Sequence, residues 1–302
     1  MRWTPTRGET MEGAVRPEVD EEACILCGQC VRACSFEVMK LRKRSAQPRG
    51  IGECIVCGQC VAVCPQNAIS HPAIPDERIS GLPATAAVGY DELAALFSQR
   101  RSVRRYRDEE VSDELILELI AAAVMAPSGH NQQSWQFIAI KDPDELAAVR
   151  DAAAAFYGGL LAALEDPQIR QGMIAEMGEE GVAGLDEIAP AVKLILRAHE
   201  RGEDRMIWGA PVLLLAHAPA SDPTGAESAH YAVGNLMLAA VSKGLGTCAI
   251  GFLTVPAGFS PELREALHVP EGQTLHAALA LGWPDVTYYR STGRREAQVR
   301  II

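Results

Sequence analysis

Residues 24–34 read CILCGQCVRAC and residues 54–64 read CIVCGQCVAVC, and these two stretches decide how the N-terminal part of the chain is built. They agree at eight of eleven positions and begin thirty residues apart, the mark of a duplicated half-domain. Eight of the nine cysteines lie in them, as two copies of C-x-x-C-x-x-C-x-x-x-C: Cys24, Cys27, Cys30 and Cys34, then Cys54, Cys57, Cys60 and Cys64. Three soft thiolates on one tight, glycine-containing loop can reach a single iron–sulfur cube. A zinc site would need four ligands, commonly as two C-x-x-C pairs, and disulfides would need an oxidising compartment. The spacing therefore favours iron–sulfur ligation over both.

Over residues 18–72 the chain resembles bacterial-type two-cluster ferredoxins. That resemblance implies two [4Fe–4S] clusters, with the fourth cysteine of each run ligating the other cluster. On this rule one cluster takes Cys24, Cys27, Cys30 and Cys64, and the second takes Cys54, Cys57, Cys60 and Cys34. The second run continues into Pro65, whereas Ser35 stands where a proline usually follows the fourth cysteine.

At 302 residues the chain has room for a small module and one ordinary domain, and its 48% apolar content suits a globular protein. A formal charge of −11 argues against nucleic acid or an anionic membrane as partner. No apolar run reads as long enough to span a bilayer, and the first twenty residues lack a signal peptide's apolar core, so a cytoplasmic protein is expected. The expected layout is a flexible tail at 1–17, the cysteine-rich domain at 18–72, a proline-containing linker at 73–89 and a second domain at 90–302.

In the second domain a helix is expected to start near Asp91. Another follows Ser112 as N-cap, with Leu115, Ile116, Leu119, Ile120 and Ala123 as its stripe and an end at Pro127. Asp142–Pro143 opens a third helix. Residues 150–205 read as helical in part. Residues 226–243 form a helix with Ala229, Ala232, Val233, Leu236, Met237 and Ala240 on one face, and a short helix spans 260–267. Strands are expected at 135–140, 211–217, 247–252 and 274–281. Gly244–Ala249 satisfies G-x-G-x-x-A, but a helix precedes it and a strand follows, the reverse of a dinucleotide fingerprint. Its glycines read as a helix C-cap and turn, and Cys248 as a small buried residue.

Two further stretches carry chemistry. In RRSVRRYR, residues 100–107, Arg100, Ser102 and Arg104 alternate, so in an extended segment they share one side and suit a phosphate, or else form a solvated basic face. PSGHNQQSW, residues 127–135, gathers Ser128, His130, Asn131 and Gln133, able to hydrogen-bond a heterocycle's edge, or else is an ordinary polar loop.

Taken in order with YAVGNLMLAAVSKGLGTCAIGF and GWP, these stretches resemble the nitroreductase family of flavin enzymes over about residues 90–302. The implied class is α+β, a small ferredoxin-like domain followed by a nitroreductase-like α/β sandwich. The resemblance also implies FMN bound at the interface of a homodimer. By position, Arg100, Arg101, Ser102 and Arg104 would hold its phosphate and ribityl chain, completed by Arg294 and Arg295. Pro127, Ser128, Gly129, Asn131 and Gln133 would sit against the isoalloxazine, and Gly251 and Phe252 would bring backbone N–H groups near N5 and O4. His130 is a candidate proton donor. Ser134 replaces a proline that commonly precedes the tryptophan.

The function expected is an oxidoreductase passing electrons between two clusters and FMN. It would reduce a small conjugated acceptor such as a nitroaromatic, quinone or activated alkene. The external donor would be a ferredoxin-type protein or NAD(P)H. The alternatives are a non-catalytic electron-transfer or redox-sensing protein, and a flavin dehydrogenase exporting electrons through the clusters.

Overall fold

The computed structural model describes residues 15–43, 45–48, 54–82 and 87–302. Most of the expected tail (residues 1–14) and residues 83–86 of the expected linker lie outside that range. The chain divides into two compact units. One runs from Met1 to Ala87 and takes in His130–Gln132; the other covers Val88–Gly129 and Gln133–Ile302.

The first unit is built from β1 (Glu18–Val19), α1 (Gln29–Ala33), β2 (Met39–Leu41), β3 (Ala46–Pro48), α2 (Gln59–Ala62) and β4 (Ile69–Ser70). β1 pairs antiparallel with β4, and β2 with β3. The sequence repeat is also a backbone repeat. Leu26 and Val56 (φ 59° and 55°), Gly28 and Gly58 (φ 73° and 71°), and Glu37 and Asn67 (φ 52° and 50°) all adopt left-handed conformations thirty residues apart. Each glycine starts its helix from a conformation that side-chain-bearing residues adopt at a cost, which is why G-Q-C recurs. Ser35 leaves this symmetry intact. The amide of Glu37 donates to the Cys34 carbonyl at 3.1 Å, and Asn67 repeats the bond to Cys64 at 3.3 Å beside Pro65.

The second unit contains α3 (Tyr90–Gln99), α4 (Asp113–Ala123), β5 (Gln136–Ile140), α5 (Pro143–Glu165), α6 (Pro167–Glu200), β6 (Val212–Pro219), α7 (Gly225–Ser242), β7 (Gly246–Ala249), α8 (Gly251–Thr254), α9 (Pro261–Ala266) and β8 (Gln273–Gly282). The strands form one antiparallel sheet in the order β5-β6-β8-β7. It is covered on both faces. Val212, Leu214 and Ala216 pack with α4 and α7, while Leu213 and Leu215 pack with α5 and α9 on the other side. That double burial explains why β6 reads as an unbroken apolar run.

Local chemistry sets most boundaries. Ser112 caps α4 by accepting from the Leu115 amide, and Asp142 caps α5 by accepting from Asp144 and Glu145. Gly244 (φ 80°) follows α7, where Leu245 donates to the Ala240 carbonyl and Gly244 to Val241, the paired bonds of a Schellman end. Pro127 lies beyond the end of α4, which stops at Ala123.

Three expectations change. The strand expected at 247–252 ends at Ala249, because the backbone turns at Ile250 (φ −111°, ψ 82°) and Gly251 and Phe252 begin α8. Residues 150–205 are helical through almost their whole length, although Gly178 (φ 78°, ψ 166°) breaks α6 into two arms. The arms fold back, so the Arg170 guanidinium meets the Asp186 carboxylate at 2.9 and 2.5 Å. Finally, α5 is long and apolar enough, by length and composition, to cross a membrane. Its Leu146, Val149 and Ala153 are packed into the second unit's own core.

Candidate functional site

The cysteines of the first unit line two cavities. Cys24, Cys27, Cys30 and Cys64 border one, with Ile25, Gly28, Pro65 and Ile69. Cys54, Cys57, Cys60 and Cys34 border the other, a space of about 180 Å³ with Phe36, Met39 and His71 in its walls. Each cavity thus draws three thiols from one run and the fourth from the other. The exchange follows from α1 and α2 packing together while each run's last cysteine lies past its helix.

These surroundings fit a multi-atom cluster. Four thiols border each cavity, the ligand number of a four-iron cube, and none of the nine cysteines is in a disulfide. Backbone amides aim at the sulfurs: Val38 at Cys34 Sγ and Ala68 at Cys64 Sγ, both at 3.2 Å, and Ala46 at Cys24 Sγ at 3.4 Å. Such donors favour an electron-rich sulfur. Burial, reinforced by neighbouring thiolates, pushes the Cys30 thiol up and that of Cys60 up to about 11. Bound iron would reverse that preference, since ligating thiols are deprotonated. Cys24, Cys30, Cys34, Cys60 and Cys64, together with Met39, Ala46 and Ile69, make up most of this unit's small core.

In the second unit, residues 100–104 run extended along the edge of the sheet. Ser102 forms a parallel bridge with Thr247, and the Val103 amide donates to the Thr247 carbonyl at 2.9 Å. Gly246 permits this approach, since a Cβ there would lie 2.7 Å from Val103 Cγ2. Arg100, Ser102 and Arg104 gather around the buried Cys248. Burial pushes the Cys248 thiol up, while these three neighbours pull it the other way. Among the described residues no carboxylate pairs with Arg100, Arg101 or Arg104. Arg101 turns elsewhere, donating to the Arg290 carbonyl at 3.4 Å and lying 5.9 Å from the Tyr288 ring centroid, with its buried Nε unpartnered. Uncompensated guanidiniums beside a hydroxyl suit a phosphate.

The loop 127–134 holds an unusual backbone. His130, Asn131 and Gln133 all have positive φ, at 49°, 54° and 48°. Strain of this kind persists only where surrounding bonds over-determine it. Here the Gln133 amide donates to Ser128 Oγ at 2.9 Å and the Gly129 amide to Ser228 Oγ at 3.3 Å. Ser134, in place of the proline, donates its hydroxyl to Asp222, which also accepts from the Thr224 amide and hydroxyl, both at 2.9 Å. A side chain at Gly129 would collide with Thr224. Pro127 and His130 are exposed; Ser128, Gly129 and Asn131 are half-buried.

Gly251 and Phe252 occupy the first turn of α8, where backbone amides have no intrahelical acceptor. Tyr157 fixes them from α5. Its hydroxyl donates to the Phe252 carbonyl at 3.2 Å, and its ring meets Phe252 edge-on at 5.3 Å. Burial pushes the Tyr157 phenol up to about 12, so it stays a donor. Arg294 and Arg295 are exposed in the segment beyond β8. Among the described residues no hydrogen bond or ion pair joins them to residues 100–104, nor joins that segment to the 127–134 loop.

Several supporting residues escape sequence reasoning. Trp208, at φ 65°, lies with its ring centroid 5.5 Å from the Arg104 guanidinium carbon. The Asp204 carboxylate holds that turn, accepting from the amides of Met206, Ile207 and Gly209 at 2.8, 3.0 and 2.8 Å. Asp222, Tyr157 and His71 likewise lie outside every motif. The D-x-x-x-W-G spacing at 204–209 is the one local hint, that of a carboxylate-capped turn.

Residues 97–283 match the nitroreductase family, and residues 22–69 match the 4Fe-4S dicluster domain. A Thermus thermophilus protein named NADH dehydrogenase is 32% identical over 211 residues, 69% of this chain and 93% of its own length. The 5,6-dimethylbenzimidazole synthase of Rhodospirillum rubrum is 29% identical over 197 residues, 64% of this chain and 82% of its own. The structure of a nitroreductase with bound FMN from Desulfitobacterium hafniense superposes with a TM-score of 0.52 at 22% identity, covering 69% of this chain and 97% of that one. The nitroreductase match alone spans more than half the chain and the dicluster match precedes it: the chain belongs to the nitroreductase family, with an N-terminal 4Fe-4S dicluster domain.

Proposed function

We propose that this flavin-family oxidoreductase holds two [4Fe–4S] clusters and one FMN, takes single electrons from a ferredoxin-type donor, and reduces a small conjugated acceptor such as a nitroaromatic, quinone or activated alkene. The observation that carries the reading is the sharing of thiols between the two cavities, in a chain whose remainder is a nitroreductase-family domain. The layout proposed is a tail to residue 17, a cluster domain at 18–72, a linker at 73–89 and the flavin domain at 90–302. When bound, the clusters supply one-electron transfer and the flavin supplies the step from one-electron to two-electron chemistry.

The chain's own residues bind and orient. Cys24, Cys27, Cys30 and Cys64 would hold one cluster; Cys54, Cys57, Cys60 and Cys34 the other. Arg100, Arg101, Ser102 and Arg104 would take the flavin phosphate and ribityl chain, with Arg294 and Arg295 closing the site from the C-terminal segment. Pro127, Ser128, Gly129, Asn131 and Gln133 would line the ring. The Gly251 and Phe252 amides, steadied by Tyr157, would hydrogen-bond its polar edge and stabilise negative charge there. His130, exposed at its turn, is the proton donor to the substrate. Because, among the described residues, no hydrogen bond or ion pair joins the 127–134 loop to the arginine segment, we assign the two groups to one site completed across a homodimer. The protein is placed in the cytoplasm, without nucleic-acid or membrane partners.

The test is cofactor analysis of anaerobically purified protein. About eight irons, eight sulfides and one FMN per chain are expected; protein lacking either iron or flavin rejects the reading. A second reading, favoured by the name of the Thermus relative, makes NADH the direct donor. Rapid anaerobic bleaching of the flavin by NADH alone supports it over the ferredoxin-type inlet.

A further inference from the structure

His71 stands apart from every motif, yet it is 3% exposed and borders the cavity of Cys54, Cys57, Cys60 and Cys34. Its Nε2 lies 3.4 Å from Cys54 Sγ. Its Nδ1 accepts the amide hydrogen of Ala73 at 3.1 Å. A ring nitrogen that accepts an N–H carries no proton, so the imidazole's own hydrogen sits on Nε2 and points at the sulfur. The ring is held in place, because the Ile74 amide donates back to the His71 carbonyl at 2.8 Å and closes the turn.

The thirty-residue symmetry identifies what is special here. The matching position in the first repeat is Leu41, which is 48% exposed and has no polar hydrogen. The Cys34 and Cys64 sulfurs receive equivalent amide bonds at equal distances. The first cysteine of each run does not. Cys24 Sγ receives a backbone amide from Ala46, whereas Cys54 Sγ faces a side chain. A backbone donor survives any substitution except proline, whereas a histidine is a choice of residue.

We propose that His71 is a positioning residue for the cluster of Cys54, Cys57, Cys60 and Cys34, whose Nε2–H···Sγ bond to Cys54 raises that cluster's reduction potential and leaves the other cluster's unchanged. Hydrogen bonds to cluster sulfurs are one of the terms that set such potentials. An electron arriving from the external donor increases negative charge on the ligating sulfurs, so a fixed N–H there stabilises the reduced state more than the oxidised one. One electron is gained, no bond forms or breaks, and His71 keeps its proton. The inference rests on the ligand assignment given above.

The experiment is an EPR-monitored redox titration of anaerobically purified full-length protein, wild type against His71→Leu and His71→Gln, with iron and sulfide content measured on each. The expected result for His71→Leu is a lower midpoint for one of the two reduction steps and an unmoved second midpoint. His71→Gln, which keeps an N–H, is expected to recover part of the shift. Wild-type midpoints in a fully loaded His71→Leu protein overturn the proposal and leave the ligand assignment standing. Wild-type protein without eight irons overturns both. Should His71→Leu fail to load, wild-type protein labelled with ¹⁵N-histidine decides. Pulsed EPR of the reduced clusters is expected to show a nitrogen coupling that His71→Gln removes, and its absence overturns the proposal.

Discussion

The Ser134 hydroxyl donates to the Asp222 carboxylate, tying the loop before β5 to the turn between β6 and α7. Burial opposes the charge on Asp222, but the bonds from Ser134 and Thr224 outweigh it and hold the carboxyl below its usual range. A serine in a proline's place thus fastens the strained 127–134 segment through a side chain. Ser134→Ala is expected to cost about 1.5–3 kcal/mol, as loss of a hydrogen bond to a charged group does. A carboxyl whose folded pKa is lowered stabilises above its unfolded pKa, and that stability is lost as pH falls through the folded value. The wild-type advantage should therefore be full at neutral pH and shrink on acidification. Denaturant unfolding followed by tryptophan fluorescence at stepped pH measures it.

Cluster loss and flavin loss should separate by variant. Arg104→Ala is expected to weaken FMN binding roughly 10- to 100-fold, the range for a charge-assisted hydrogen bond, with iron unchanged. Cys57→Ser is expected to lower iron while FMN is retained. Parallel iron assay and flavin fluorescence on each protein check both.

Gly246 and Val103 touch too closely for any larger residue at 246. Gly246→Ala is expected to destabilise the second unit by about 1–3 kcal/mol, the usual cost of overpacking. It should also displace Ser102 and Arg104, which flank Val103, and so weaken FMN binding. The double variant with Val103→Ala should recover part of both losses if the clash is the cause. Thermal unfolding and flavin titration of the three variants test this.

Asp204 supports Arg104 at one remove, through the turn that presents Trp208. Asp204→Ala removes the acceptor for three amides and is expected to cost about 1–3 kcal/mol. Trp208 emission should shift as its ring leaves Arg104. Asp204→Asn, which retains one acceptor oxygen, should fall between the two. Emission spectra and flavin affinity of both variants check this.

What could be read in advance followed from short-range rules. The cysteine spacing implied paired clusters because three ligands of a cube must come from one loop. Ser112, Asp142 and Gly244 marked helix ends because their chemistry acts within four residues. The same local logic misled at Gly251–Phe252. An apolar stretch suits a buried strand, but there the chain leaves the sheet and starts α8. At 150–205, glycines and acidic residues obscured a helical pair joined across Gly178 by Arg170 and Asp186, residues sixteen apart.

From the sequence alone came the cluster-binding repeat, the family of the larger domain and the residues proposed to contact a cofactor, since all of these sit in short contiguous motifs. Only the tertiary structure could name the residues that hold them in place: Asp222 for Ser134, Asp204 and Trp208 for Arg104, Tyr157 for Phe252, His71 for Cys54. A motif is written in neighbouring positions because a loop or a helix turn delivers it. A support arrives from wherever packing brings another element, and chain distance carries no trace of that meeting.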